Sequence, residues 1–198
     1  MSNIFDQLAQ NIGKLPGIGP KMAKRIALHL VQHKGTSLHN LVEAINKAKN
    51  CLFECENCSN IDQEHICGIC TNQNRDHSTI CIVEQVADLW AIEKAKNYRG
   101  IYHILGGNLS AIGGKDFNSL NLDKLYQRIS QSGKIQEVII ATSATIDGQT
   151  TAYFIAENLK EFANIRTTRL AYGIPIGSEL DYLDEGTIAI ALKTRSLF

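Results

Sequence analysis

The chain has 198 residues, enough for one sizeable domain or two small ones with a buried core. Hydrophobic residues make up 44%, ordinary for a globular protein, and no run nears the roughly 18 apolar residues of a membrane span. Net charge is zero, which excludes a generic polyanion binder and leaves only local charge to attract a partner.

That local charge exists. Residues 1–53 hold Lys14, Lys21, Lys24, Arg25, Lys34, Lys47 and Lys49 against Asp6 and Glu43, an excess of five positive charges. Residues 54–78 hold Glu54, Glu56, Asp62, Glu64 and Asp76 against Arg75, an excess of four negative charges. A basic N-terminal unit on a neutral chain suggests one nucleic-acid face. The first ten residues lack the basic and apolar stretches of a secretory signal, so a cytoplasmic location is expected.

In chain order, Ile4, Phe5, Leu8, Ile12 and Leu15 form a 3.6-period stripe that predicts a short helix. It breaks at Leu15-Pro16-Gly17-Ile18-Gly19-Pro20. Pro20 suits the first turn of the next helix, over 21–33, where its missing N–H is no loss. A third helix is expected at about 37–52. A Pro-Gly turn alone reads as a plain helical hairpin. The full string followed by a basic, small-residue helix reads as a helix-hairpin-helix. Its glycine turn lets backbone N–H groups at a helix N-terminus meet a phosphate oxygen. The predicted DNA-binding set is Gly17, Ile18, Gly19, Lys21, Lys24 and Arg25, a grip that reads no sequence. His29 and His33 read as surface or packing residues.

Cys55, Cys58, Cys67 and Cys70 follow in the pattern C-x2-C-x8-C-x2-C, the most specific signal in the chain. In a reducing compartment such clusters bind metal rather than form disulfides. Two facing C-x2-C turns give a closed tetrahedral site, which suits one structural Zn²⁺ per chain. A stretch of about 16 residues buries no core, so the metal must supply its folding energy. His65 and His77 are bystanders in this reading, and Cys51 and Cys81 are free thiols.

Thr79-Ile80-Cys81-Ile82-Val83 then predicts a buried strand. Further expectations are a helix at about 85–97, an apolar run at 101–105, a glycine-rich loop at 106–114 and a helix at about 121–132. A strand at 137–141 and a helix at about 149–163 come next, and short apolar runs at 165–170 and 187–192 close the chain. Alternating strands and helices imply a mostly parallel sheet covered on both faces. Glu84 and Asp147 follow two of these strands, at the edge where open α/β sheets place ligands. Spacing alone does not separate a Mg²⁺ site from two surface acids, and Gln149 stands where a further acid would strengthen the metal reading. The loop after Leu105 lacks the Gly-Lys-Ser/Thr of a P-loop, which disfavours ATP binding.

Taken together, Leu15-Pro-Gly-Ile-Gly19, the cysteine quartet, Thr79-Ile-Cys-Ile-Val-Glu84, Tyr102-His-Ile-Leu-Gly-Gly107 and Thr168-Arg-Leu-Ala-Tyr-Gly-Ile-Pro-Ile-Gly177 resemble the RecR family of bacterial recombination mediators. The resemblance spans nearly the whole chain and implies a Toprim domain for the α/β part. It further implies a non-catalytic ring tetramer around DNA, acting with RecO and often RecF to help RecA replace single-strand binding protein at gaps. Glu84 and Asp147 would then serve partner contact. Two departures stand out: Asp147-Gly148-Gln149 where the family usually has Glu-Gly-Glu, and Ser110-Ala-Ile-Gly-Gly114 where it usually has Ser-Pro-Leu-Asp-Gly.

The expected architecture is therefore multidomain α and α/β. A helix-hairpin-helix unit (1–53) precedes a four-cysteine zinc finger module (54–78), a Toprim-like domain (79–172) and a short C-terminal segment for oligomer or partner contact (173–198). The function expected is a DNA-binding clamp with no catalytic residues. The alternatives are a Mg²⁺-dependent nuclease or phosphoryl transferase of Toprim type using Glu84 and Asp147, and a zinc-held adaptor that does not touch DNA.

Overall fold

The computed structural model describes residues 3–109, 120–162 and 164–195. The chain divides into two compact units, Met1–Leu52 and Phe53–Phe198. Among the described residues no helix is long and apolar enough to cross a membrane.

The first unit is helical. Helix α1 (Ile4–Gly13) starts at Asn3, whose side chain accepts the Phe5 N–H at 3.2 Å. Helix α2 (Pro20–Gln32) opens on its proline, and a π turn (Lys34–Leu38) leads into α3 (His39–Cys51). The two first helices meet on small residues. Ala9, Ala23 and Ala27 are buried, and a Cβ added to Gly13 would lie 3.4 Å from the Ala23 Cβ. Phe5, Leu8 and Ile12 of the expected stripe are half-buried, while Ile4 and Leu15 at its ends are exposed. Helix α3 buries none of its residues, and Leu41, Val42 and Ile45 face outward.

The second unit begins with a two-residue antiparallel pair, β1 (Phe53–Glu54) and β2 (Ile61–Asp62), and a single helical turn, α4 (Gly68–Thr71). The main sheet follows: β3 (Asp76–Val83), α5 (Val86–Ala95), β4 (Gly100–Ile104), α6 (Leu122–Ser132), β5 (Glu137–Ala141), α7 (Ile146–Leu159) and β6 (Arg166–Arg169). All pairings are parallel and the strand order is β4-β3-β5-β6. Ile80 and Ile82 of β3 pack with Leu125, Ile129, Ile155 and Leu159 on the α6/α7 face. Cys81 and Val83 pack with Leu89 of α5 on the other face. Alternation along one strand thus fills two cores. Helix α8 (Glu185–Lys193), capped by Asp184, follows a 3₁₀ turn at Leu180–Tyr182.

The elements follow the sequence closely; β3 begins earlier, at Asp76, α7 ends earlier, at Leu159, and two further differences have a visible cause. Helix α7 starts at Ile146 rather than near 149, because the Thr145 hydroxyl accepts the Gly148 N–H at 3.1 Å and caps the helix earlier. The apolar run at 187–192 is helical, seeded by the Asp184 carboxylate accepting the Thr187 N–H at 2.9 Å. The glycine-rich loop lies outside the described residues from position 110 onward.

A half-buried ion pair ties the start of β3 to α5. Arg75 pairs with the Glu93 carboxylate and donates to the Gly100 carbonyl at 2.9 Å, while the Tyr102 hydroxyl donates to Glu93 at 2.6 Å. Burial pushes the Glu93 carboxyl up, but the bonds from Arg75 and Tyr102 outweigh it and hold it below its ordinary 4.5. A carboxyl depressed in the folded state stabilises above its unfolded pKa and loses that contribution as pH falls through the folded value. Arg75→Met should therefore cost about 2 kcal/mol at pH 7, because a half-buried carboxylate loses its partner. The gap to the parent protein should shrink as pH falls below 4.5, which urea denaturation at pH 7 and pH 3.5 measures.

Candidate metal centre and nucleic-acid interface

In the first unit the turn between α1 and α2 lies at the surface. The Leu15 carbonyl accepts the Ile18 N–H at 3.2 Å, and Gly17 sits at φ 77°, a left-handed conformation that favours glycine. Gly19 precedes α2 in extended backbone, with no side chain capping the helix and no acid in its first turn. The first N–H groups of α2 are therefore left for solvent or a ligand. Lys21, Lys24 and Arg25 are exposed on that helix, and a groove of ≈ 550 Å³ beside them is lined by Lys14, Lys24 and Asp6. The His33 ring donates from Nδ1 to the His29 carbonyl at 2.9 Å, and both histidines are exposed.

In the second unit the four cysteines converge. The Sγ atoms of Cys55, Cys58, Cys67 and Cys70 lie within 4.8 Å of one another, and the first three residues are buried. A tetrahedral Zn²⁺ with bonds of about 2.3 Å sets sulfur–sulfur edges of about 3.8 Å, so the cluster fits such an ion. The Cys67 N–H donates to the Cys55 sulfur at 3.3 Å, the bond expected of a thiolate knuckle. Ser59 takes φ 63° to close the first knuckle. The Cys58 thiol is driven up, first by its hydrogen bond with Cys67, 3.5 Å away, and then by burial. Cys67 is driven down because Cys58 and Cys70 donate to it. A divalent cation would ionise these sulfurs together. His65 stacks on Phe53 and His77 bonds the Asn72 carbonyl, so neither joins the cluster.

Helix α6 holds this module to the sheet through residues that sequence reasoning missed. Lys124 Nζ donates to the Cys55 carbonyl at 2.9 Å and the Ser59 hydroxyl at 3.0 Å. Asn121 donates to Ser59 and to the Ile104 carbonyl. Arg128 donates to the Tyr102 carbonyl at 2.6 Å and to the Cys70 sulfur at 3.6 Å. The Cys58 carbonyl accepts the Ile104 N–H at 2.9 Å, so β4 joins the knuckle directly. The available signal was two cations one helical turn apart, beside the apolar Leu125 and Ile129, in a chain whose cysteine stretch is strongly acidic.

The acids Glu84 and Asp147 sit at the carboxyl edge of adjacent strands. The helix after β3 covers one face and the helix after β5 the other, which opens a crevice between these strand ends. Glu84 is fixed there: its Oε1 accepts the Ser143 N–H at 2.8 Å. Asp147 lies in the first turn of α7. Asp88 and Glu84 line a pocket of ≈ 210 Å³ with Thr142, Ser143 and Leu170. Among the described residues these acids form no group of three able to hold a metal. Gln149 donates its amide to the Ala144 carbonyl at 2.9 Å, a bond that an ionised glutamate is unable to make.

Comparison with known proteins decides the family. Residues 5–49 match the RecR helix-hairpin-helix model, 78–171 the Toprim domain and 173–196 the RecR C-terminal model. The chain is 48% identical over 194 residues to the recombination protein RecR of Erythrobacter litoralis, covering 98% of this chain and 97% of the relative. It is 49% identical over 195 residues to that of Orientia tsutsugamushi strain Ikeda (98% and 95% covered). It is 48% identical over 197 residues to that of Rickettsia bellii (100% and 98% covered). The chain belongs to the RecR family. Its helical hairpin, cysteine cluster, parallel Toprim sheet and short C-terminal segment are the parts of a RecR recombination protein.

Within the RecR crevice, Gly148 is held by its neighbours. A Cβ there would meet the Ser143 carbonyl and hydroxyl well inside van der Waals contact, and Glu84 Oε1 at 2.9 Å. Glycine in a helix normally gains about 1 kcal/mol on replacement by alanine. Here the sign should reverse: Gly148→Ala is expected to cost about 2 kcal/mol and lower the Tm by roughly 5 °C, measured by calorimetry.

Proposed function

We propose that the chain is a non-catalytic clamp on DNA in recombinational repair. In this reading it works in the cytoplasm, at the nucleoid, with RecO, and with RecF where that protein is used, to help RecA replace single-strand binding protein at gaps. The observation that carries the reading is the uncapped start of α2 beside the Gly17–Gly19 turn, with Lys21, Lys24 and Arg25 exposed around it. None of these three cations joins an ion pair among the described residues. Backbone N–H groups there grip a phosphate oxygen and the cations add neighbouring contacts.

Each subunit's grip is weak, and several on one closed ring add up on the same duplex. The unburied apolar face of α3 and the exposed Ile176, Leu180 and Tyr182 of the C-terminal segment favour assembly of several copies. The roles assigned are DNA binding to 1–53, a zinc module to 54–78, a Toprim scaffold to 79–172 and oligomer or partner contact to 173–198. One structural Zn²⁺ per chain sits among Cys55, Cys58, Cys67 and Cys70. Glu84 and Asp147 serve partner contact.

The phosphate grip is tested by fluorescence anisotropy of a labelled duplex over a salt titration. Lys21→Gln combined with Arg25→Gln should weaken binding, and the slope of log K against log salt should become shallower by about 2 for each engaged subunit. An unchanged slope would contradict the hairpin as the DNA contact. The rival enzymatic reading predicts Mg²⁺-dependent nicking of supercoiled plasmid that Glu84→Ala abolishes. The clamp reading expects intact plasmid from both proteins.

A further inference from the structure

The polar seam between the cysteine module and α6 has a charge logic of its own. Four thiolates around one divalent cation leave two negative charges in a cluster whose first three residues are fully covered. Such a charge is costly away from water unless it is compensated nearby. Helix α6 presents two half-buried cations, Lys124 and Arg128, one turn apart and both facing the knuckles. Arg128 reaches the Cys70 sulfur itself at 3.6 Å, and its other nitrogen is anchored on the Tyr102 carbonyl at 2.6 Å. Lys124 touches no sulfur; it holds the Cys55 carbonyl and the Ser59 hydroxyl, both in the first knuckle.

We propose that Arg128 and Lys124 form the outer shell of the metal centre, neutralising the metal–thiolate cluster and making ion retention depend on a helix of the Toprim domain. The two residues act as positioning groups with different parts. Arg128 withdraws charge from a ligand sulfur through a hydrogen bond. Lys124 compensates charge at a distance and fixes the shape of the first knuckle. Outer-shell partners of this kind typically change metal affinity by about 10–100-fold. The inference rests on the four cysteines holding a divalent ion.

The test uses full-length protein loaded with zinc, and a second preparation loaded with cobalt. Zinc release into a chromogenic chelator is followed for the parent, Arg128→Gln, Arg128→Lys and Lys124→Gln, beside circular dichroism to verify the fold. Release should be about tenfold faster or more in Arg128→Gln and faster in Lys124→Gln, and Arg128→Lys should recover part of the loss. The sulfur-to-cobalt charge-transfer band should move to lower energy in Arg128→Gln, where a sulfur loses its donor. It should stay in place in Lys124→Gln. If Arg128→Gln does not fold, the release rates of the other two variants and the band of Arg128→Lys carry the same comparison. Release within twofold of the parent in every folded variant, with an unmoved band, would overturn the outer-shell inference while leaving the metal site standing. A parent protein without stoichiometric zinc or cobalt binding would overturn both.

Discussion

The cysteine module depends on four sulfurs packed within 4.8 Å of one another. Sulfurs so close are unable to ionise together without a cation, and so short a loop has no apolar core to replace it. The module is therefore useful only as a rigid joint, and the structure uses it so. Cys58 bonds β4 through its carbonyl, Ile69 of α4 joins the core formed by Val83, Leu89 and Tyr102, and α6 clasps the first knuckle. The cysteine loop and the parallel sheet hold each other across one seam.

The Toprim sheet carries acids at its carboxyl edge, and among the described residues they join no group of three able to hold a metal. The strand order opens a crevice between β3 and β5, the position where α/β folds bind ligands. The residues filling it are committed to structure: Glu84 accepts a backbone N–H from Ser143, and Gln149 ties the loop through Ala144. Gly148 is required because Glu84 and Ser143 leave no room for a side chain. A surface thus fixed presents a defined shape and charge at the strand ends.

Much of this was legible in the residues. The glycine turn at 17–19, the cysteine spacing and the strands around Ile80 and Val138 are local patterns, and local patterns survive folding. What was hidden depends on neighbours distant in sequence. The stripe on α1 has the right period, yet Ala9 rather than Ile4 is buried, because depth is set by the partner helix. Thr145 starts α7 early because its hydroxyl accepts the Gly148 N–H. Lys124 and Arg128 look like ordinary solvated charges until the fold brings Cys55 and Cys70 beside them, 69 and 58 residues away in the chain.

That separation matters at birth. Synthesis proceeds N-terminus first at roughly 5–20 residues per second, so several seconds pass between the making of Cys70 and of the α6 arginine that meets it. The quartet leaves the ribosome earlier by the same interval, without the clasp that stands over it in the finished molecule. Nascent thiols are then open to copper, to oxidants and to neighbouring chains. Any ion that the quartet takes during that interval must be held by the sulfurs alone.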